Sequence, residues 1–383
     1  DNKAISSNRE GLSLFGGALN RNHLQDATTL EISSLPKEVQ KLFPPDQKEV
    51  DIRDVPMATV EGFEAYNGYV GIGVWGHKTN RDGELDFNTD SPQSAHEGRS
   101  LIKDFKVWGN RFRGVSVQYS SNIDVKDGLV LGNESGKLRA FGAGLLNNQA
   151  SYGTRFDNLT VAGFEVGADV ALPNTDKEFI SSTISNTDFS SNTYNLAKVG
   201  VPTDQGGLND YAAYLKLVNN KFEADTASNK APEAKFDAKA IGGLALELDA
   251  SDSMDADPLR GGNPNLSRIE SKGIAAYGWD LDGNGTIDRF GREITHVFDG
   301  AGNKNIGLTV WDSQGKTTTL NQRINVQPSD YENAFVNGNF SSSRLQISGN
   351  DNSQWADQGW FASKGVKEIG RHTSELQSPV PIS

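Results

Sequence analysis

The 383-residue sequence contains no cysteine, which excludes disulfides, thiolate metal sites and cysteine nucleophiles. That absence leaves the cellular compartment open. No apolar run approaches the 18 or so residues that read as a membrane-spanning helix. Positive charge is also scarce: 37 Lys and Arg face 50 Asp and Glu, for a formal charge of −13. An acidic balance of this size argues against nucleic acid and anionic membrane as partners and is compatible with calcium or glycans. Hydrophobic residues make up only 36% of the chain and the mean hydropathy is −0.54. Glycine is what the sequence has in quantity, 41 residues, together with many Asn and Ser. That composition predicts a turn-rich, all-β protein of two or three domains.

The ends carry their own expectations. The sequence begins at Asp1 with neither an initiator Met nor a signal peptide, which predicts a processed or partial chain. Residues 368–383, from Glu368-Ile-Gly-Arg-His372 onward, resemble the conceptual translation of a short-read sequencing adapter. They are set aside, His372 included, as one sets aside an expression scar.

Residues 1–55 read as a mixed, cap-like region. Leu35, Val39, Leu42 and Phe43 have helical spacing after Pro36, and Pro44-Pro45 ends any helix there. From 56 to 224 the texture changes to short runs that alternate apolar and polar residues between Gly, Asn and Asp. Tyr69-Val-Gly-Ile-Gly-Val-Trp75, Ile102-Lys-Asp-Phe-Lys-Val-Trp108 and Asn158-Leu-Thr-Val-Ala-Gly-Phe164 are examples. Each predicts a strand with one buried face. The runs echo one another: Phe105-Lys-Val-Trp-Gly-Asn110 against Ile123-Asp-Val-Lys-Asp-Gly128 and Leu159-Thr-Val-Ala-Gly-Phe164. Their irregular period of roughly 20–30 residues falls in the solenoid range, where stacked repeats share a core that none could form alone.

On these runs the segment resembles the right-handed parallel β-helix of the pectate-lyase-like superfamily. A β-sandwich with long loops is the alternative. His77 to Ser100 would be a loop thrown out of one repeat.

Residues 225–232 form a small-residue linker ending in Pro232. The module at 233–327 predicts strands at 234–236, 244–248, 275–279, 294–298, 306–311 and 317–326. Leu248-Asp-Ala-Ser-Asp-Ser-Met-Asp255, Ile274-Ala-Ala-Tyr-Gly-Trp-Asp280 and Asn305-Ile-Gly-Leu-Thr-Val-Trp-Asp-Ser-Gln-Gly315 occur in order. They resemble a polycystic kidney disease (PKD) domain, an immunoglobulin-like sandwich, with an insertion at Pro258 to Arg268. Residues 328–367, with Asn333-Ala-Phe-Val-Asn-Gly-Asn-Phe340, Trp355 and Trp360, resemble the opening strand of a carbohydrate-binding sandwich. The expected fold class is therefore all-β, a right-handed parallel β-helix solenoid plus a PKD sandwich. The resemblance implies an extracellular or cell-surface bacterial protein that meets a polysaccharide or cell-surface glycan.

Asp280, Asp282, Asn284 and Asp288 occupy positions 1, 3, 5 and 9 of an Asp-x-Asp-x-Asn-Gly-x-x-Asp loop, and the Thr286 carbonyl adds a ligand position. Hard oxygens at alternate positions converge on a cation, so a structural Ca²⁺ is the candidate cofactor. Gly291 stands where a complete EF-hand loop carries its bidentate Glu, and a plain hairpin turn explains the same texture. Asp249, Asp252, Asp255 and Asp257 form a weaker acidic cluster that Asx turns account for.

An eliminating or epimerising enzyme needs a base and a neutraliser for a uronate, and a hydrolase needs paired carboxylates. The candidates are His77, Arg111, Arg113, Tyr119 and Arg155, with Trp75 and Trp108 as sugar-stacking surfaces and Asp124, Asp127, Asp157 and Asp169 as carboxylates. Core or edge packing explains the same tryptophans. The adjacent Asp-Asp of pectin hydrolases and the Asp-Pro-His-Asp of alginate epimerases are absent. Two functions follow: a non-catalytic polysaccharide-binding or adhesion surface, slightly favoured, and a polysaccharide lyase, hydrolase or epimerase. The oligomeric state is open.

Overall fold

The computed structural model describes residues 2–5, 10–15, 29–77, 98–118, 120–133, 142–148, 151, 153–170, 182–197, 215–223, 229–256 and 274–328. Tyr119, Asp257, the segments 78–97 and 258–268, and everything from 329 onward lie outside the described residues.

The protein is all-β with extensive parallel sheet. From Asn2 to Phe222 the chain passes repeatedly between a ten-stranded and a six-stranded sheet. The first holds Asn2–Ile5, Val60–Glu61 with Phe63–Tyr66, Ser100–Asn110, Ile123–Gly132, Arg155–Ala162, Ser182–Ser185 with Asp188–Ser190, and Leu215–Val218 with Lys221–Phe222. The second holds Glu10–Phe15, Val70–Trp75, Arg113–Gln118, Ala143–Asn148, Val166–Val170 and Tyr194–Ala197. Neighbouring strands in both sheets are parallel. Each pass therefore adds one layer to both sheets.

Two residue patterns fix this arrangement. Asp104, Asp127, Asn158, Asn186 and Asn219 stand at one position of successive layers, and all have φ between 49° and 55°. Asn and Asp tolerate the left-handed region better than other side-chain-bearing residues, so each bends its strand at the same point. The side chains also tie layers together: Asn158 Nδ2 donates to Asp127 Oδ1 at 2.7 Å, and Asn186 Nδ2 to Asp157 Oδ1 at 2.8 Å.

The second pattern is a glycine row in the six-stranded sheet, Gly71, Gly114, Gly144 and Gly167, each in register with the next. A β-carbon on Gly71 would meet Val107, one on Gly114 Val130, one on Gly144 Val161 and one on Gly167 Phe189. Glycine there lets the two sheets close on a core of Val107, Val115, Val130, Val161, Phe164 and Phe189. Fully burying such side chains contributes about 1.5–3 kcal/mol each.

An excursion between Glu10–Phe15 and Val60–Glu61 carries the expected short helix, Lys37–Gln40. It follows a 3₁₀ turn at Ile32–Ser34, with a small core of Ile32, Phe43 and Val50.

The module after residue 233 is an antiparallel sandwich. Asp237–Gly242, Ala245–Asp249 and Glu293–Val297 face Arg289–Phe290, Ile274–Asp280, Gly302–Asp312 and Thr317–Val326. Asp237–Gly242 is a strand that periodicity missed, because its burial alternates weakly. Ala234 and Phe236 are buried, but the strand pairing nearest them is only a bridge from Glu233 to Met254.

Ile274–Asp280 is buried on both faces. Tyr277 and Trp279 enter the sandwich core, where Trp279 meets Phe236 edge-on at 5.1 Å and donates to the Gly291 carbonyl at 2.7 Å. Ala275, Ala276 and Phe290 join the core of the parallel layers. The turn at 312–316 adds hydrogen bonds to the last strand of the six-stranded sheet. Leu196 N–H donates to the Ser313 carbonyl at 2.8 Å, and Asn195 Nδ2 to the Gln314 carbonyl at 2.9 Å.

Candidate functional site

One line of mostly apolar residues crosses the outer surface of the ten-stranded sheet. Val107, Val130 and Val161 point into the core, so their neighbours Trp108, Leu131 and Ala162 point outward. Register adds Tyr66 on the other side of Trp108. The rings of Tyr66 and Trp108, one layer apart, stack at 4.8 Å with 10° between their planes. Both are partly exposed. Charged pairs flank them. Lys103 Nζ lies 2.9 Å from Glu61 and 3.3 Å from Asp104, and Lys106 Nζ lies 4.0 Å from Glu64. Glu61 and then Asp104 raise the Lys103 pKa.

The sequence candidates fall in different places. Trp75 is 40% exposed but ends a strand of the other sheet, in register with Phe15 and Gln118. Arg155 is exposed on the ten-stranded sheet, opposite Asp124. Arg111 lies in the corner between the two sheets, its N–H donating to the Gly68 carbonyl at 2.9 Å. His77 follows the Trp75 strand. Burial lowers its pKa to about 4, with the Leu14 carbonyl acting in the opposite direction, so the imidazole is neutral at pH 7.

Arg113 has charged company. Its guanidinium lies 4.4 Å from the centre of the Phe112 ring, and Phe112 stacks on Tyr69 at 4.7 Å. Burial lowers the Arg113 pKa, opposed by Asp169, Tyr69 and Glu10 in that order. Asp169 is 3% exposed, and two strands away in the sheet Gln118 Nε2 donates to Ser116 Oγ at 2.8 Å. Glu10 and Tyr69 were not among the sequence candidates; they join Arg113 through the stacking of layers, which has no local signal.

Most of the candidate carboxylates serve the scaffold. Asp124 pairs at 2.7 Å with Arg99, a residue that falls within the expected loop and so was not among the candidates. Arg99 also reaches Asn122 Oδ1 and the Gly153 carbonyl, so it clasps bends in neighbouring layers. Asp127 accepts from Asn158, and Asp157 accepts from Ser185 Oγ at 2.7 Å and from Asn186.

In the sandwich, carboxylate oxygens of Asp280, Asp282 and Asp288 lie within 4.8 Å of one another. Asp280 is 8% exposed and spans the loop. Its Oδ1 accepts the Gly283 and Asn284 N–H groups at 2.8 and 3.2 Å, and its Oδ2 accepts Gly285 N–H at 2.8 Å. Asp288 Oδ2 accepts Leu281 N–H at 2.7 Å, and Asn284 Oδ1 accepts Thr286 N–H at 2.7 Å. The donor set has the hard-oxygen chemistry calcium takes, and the same oxygens close the turn by themselves. In the weaker cluster, Asp249 Oδ1 accepts Ser251 N–H at 2.8 Å, an Asx turn.

No family model matches the chain. Among solved structures it is similar to the PKD1 domain of Vibrio anguillarum Epp, at 25% identity over 27% of this chain and 100% of that domain, with a TM-score of 0.21. The PKD1 domain from the Vibrio cholerae metalloprotease PrtV matches at 28% identity over 26% of this chain and 99% of that domain, with a TM-score of 0.20. A third likeness is to a structure described by the promiscuous specificity of carbohydrate-binding modules from the β-sandwich superfamily. It has 24% identity, covers 27% of this chain and 37% of that one, and has a TM-score of 0.21. Among the described residues no helix is long and apolar enough to cross a membrane.

Proposed function

We propose that this is an extracellular or cell-surface protein whose parallel layers form a β-helix that binds a polysaccharide without transforming it, and whose sandwich is a PKD accessory module. The Tyr66–Trp108 stack carries the reading. Two stacked rings from successive layers make an apolar ridge of ring edges and outer faces, against which the C–H faces of sugar rings can pack. The flanking Lys103, Lys106, Glu61 and Glu64 supply hydrogen-bonding groups for hydroxyls. The dispersal of His77, Arg111 and Arg155 supports a binding role over a catalytic one. Affinity electrophoresis through gels containing individual polysaccharides tests the reading, with Trp108→Ala as the comparison.

One observation favours a second reading, a lyase, hydrolase or epimerase. Arg113 stands among Asp169, Tyr69 and Glu10 on the six-stranded sheet, a cation with two acids and a phenol. Assays for unsaturated products and new reducing ends across the same polysaccharides distinguish the two.

The reading extends to a structural Ca²⁺ in the loop, held by Asp280, Asp282, Asn284, Asp288 and the Thr286 carbonyl. The ion would neutralise three converging carboxylates and stiffen the turn.

A further inference from the structure

The loop at 281–288 and the segment at 298–305 enclose a cleft of about 490 Å³ in the sandwich. Small-molecule sites commonly measure about 300–1,000 Å³ and combine an apolar body with a few placed polar groups. This cleft has that volume, with a lining that is mostly polar: two apolar residues stand among eight polar or charged ones. Leu281 and Phe298, both 5% exposed, give it apolar lining. His296 meets Phe298 edge-on at 4.5 Å, and Lys304 Nζ lies 5.8 Å from the centre of the same ring. Asp299, Asn303 and Asn305 contribute exposed oxygens and amides.

We propose that this cleft is a subsite for one or two rings of a neutral glycan, separate from the outer face of the ten-stranded sheet. Three carboxylates, on Asp282, Asp288 and Asp299, stand against two cations, Arg289 and Lys304. Burial, and after it Arg289, lowers the His296 pKa, with Asp288 and Asp299 opposing, so its imidazole is neutral at pH 7. With no cation at residues 280–288 the formal charge is thus slightly negative, which disfavours uronates and sulfated sugars. A wholly apolar ligand would bury the carboxylates and amides without partners, at a cost. A hydroxyl-rich ring satisfies both demands. Its hydroxyls donate to carboxylate and amide oxygens and accept from Lys304, Arg289 and the Asn amides, while its C–H face meets Leu281 and Phe298.

The test titrates the full chain with cellobiose, N,N′-diacetylchitobiose, maltose and digalacturonate, followed by saturation-transfer NMR. EDTA is present, so that no cation at residues 280–288 contributes. At least one neutral disaccharide binds, at least tenfold tighter than digalacturonate. Asp299→Asn and Asn303→Ala, both at exposed positions, each weaken it at least fivefold, and they do so in a Trp108→Ala background as well. Binding of none of the neutral sugars, preference for digalacturonate, or wild-type affinity in both cleft variants overturns the proposal. Loss on Trp108→Ala alone also overturns it, by moving the ligand to the outer face.

Discussion

The ring of Phe222 fills the space into which a β-carbon on Gly315 would project. Phe222 closes the last strand of the ten-stranded sheet and stacks on Phe189 at 5.3 Å. Gly315 turns the sandwich chain at φ +89°. This is where the end of the parallel layers meets the sandwich, together with Leu217, Ala276, Phe290 and Trp311. The contact covers a strand end that would otherwise present unpaired backbone and apolar surface to water.

Gly315→Ala combines an unfavourable backbone angle with a collision against that ring. A loss of about 1–3 kcal/mol is expected in chemical denaturation. Adding Phe222→Ala relieves the collision, so the double variant is more stable than the sum of the two single losses predicts. Strict additivity would mean the two residues do not touch.

Gly114→Ala tests the glycine row. Its β-carbon would meet Val130 and the Gly144 carbonyl, and a carbonyl held in a parallel ladder has little room to yield. The expected loss is about 3 kcal/mol, near the upper end for overpacking. Gly285→Ala is the comparison, because nothing lies within 4 Å of its β-carbon and only its φ of +86° opposes the change. It costs about 1–2 kcal/mol. Equal losses would show that sheet closure does not depend on Gly114.

His77 predicts an acid-side weakness. Its folded pKa, about 4, lies below the ordinary value of 6.5, so the unfolded chain binds the extra proton first. Stability contributed by the neutral ring is complete above pH 6.5 and is lost as pH falls towards 4, by about 3 kcal/mol. Denaturation midpoints measured across this range should fall for the native protein and fall less for His77→Gln. Parallel curves would place the acid sensitivity elsewhere.

Asp280→Ala removes the acceptor of three loop amides and is expected to cost about 1–3 kcal/mol with or without an ion. Calcium is judged separately. A cation bound only by the folded protein raises the melting temperature, so millimolar Ca²⁺ should raise it and EDTA should reverse the rise. A melting temperature indifferent to both would leave the carboxylates with their turn hydrogen bonds alone.

Strand positions were legible where one face is buried. Alternation located Ser100–Asn110, Arg155–Ala162 and Thr317–Val326 closely. The echo of Phe105–Asn110 in Leu159–Phe164 is the observed register, since both align through Gly128–Gly132. Ile123–Gly128 instead lies beside Ser100–Phe105, because the left-handed Asp104 and Asp127 divide each strand into two similar halves. The acidic loop was legible because its oxygens converge through local turns. The company of Arg113 was not, since Glu10, Tyr69 and Asp169 reach it from other strands. Nor was the burial of Ile274–Asp280 on both faces, which depends on a second core arriving from the parallel layers.

The most direct measurement is migration of native protein and Trp108→Ala through gels containing single polysaccharides. Retardation of the native protein by at least one of them, weakened at least tenfold by the substitution, is expected, a loss of about 1.4 kcal/mol. Equal retardation of the two proteins, or free migration of both in every gel, would contradict a glycan-binding ridge at Tyr66 and Trp108.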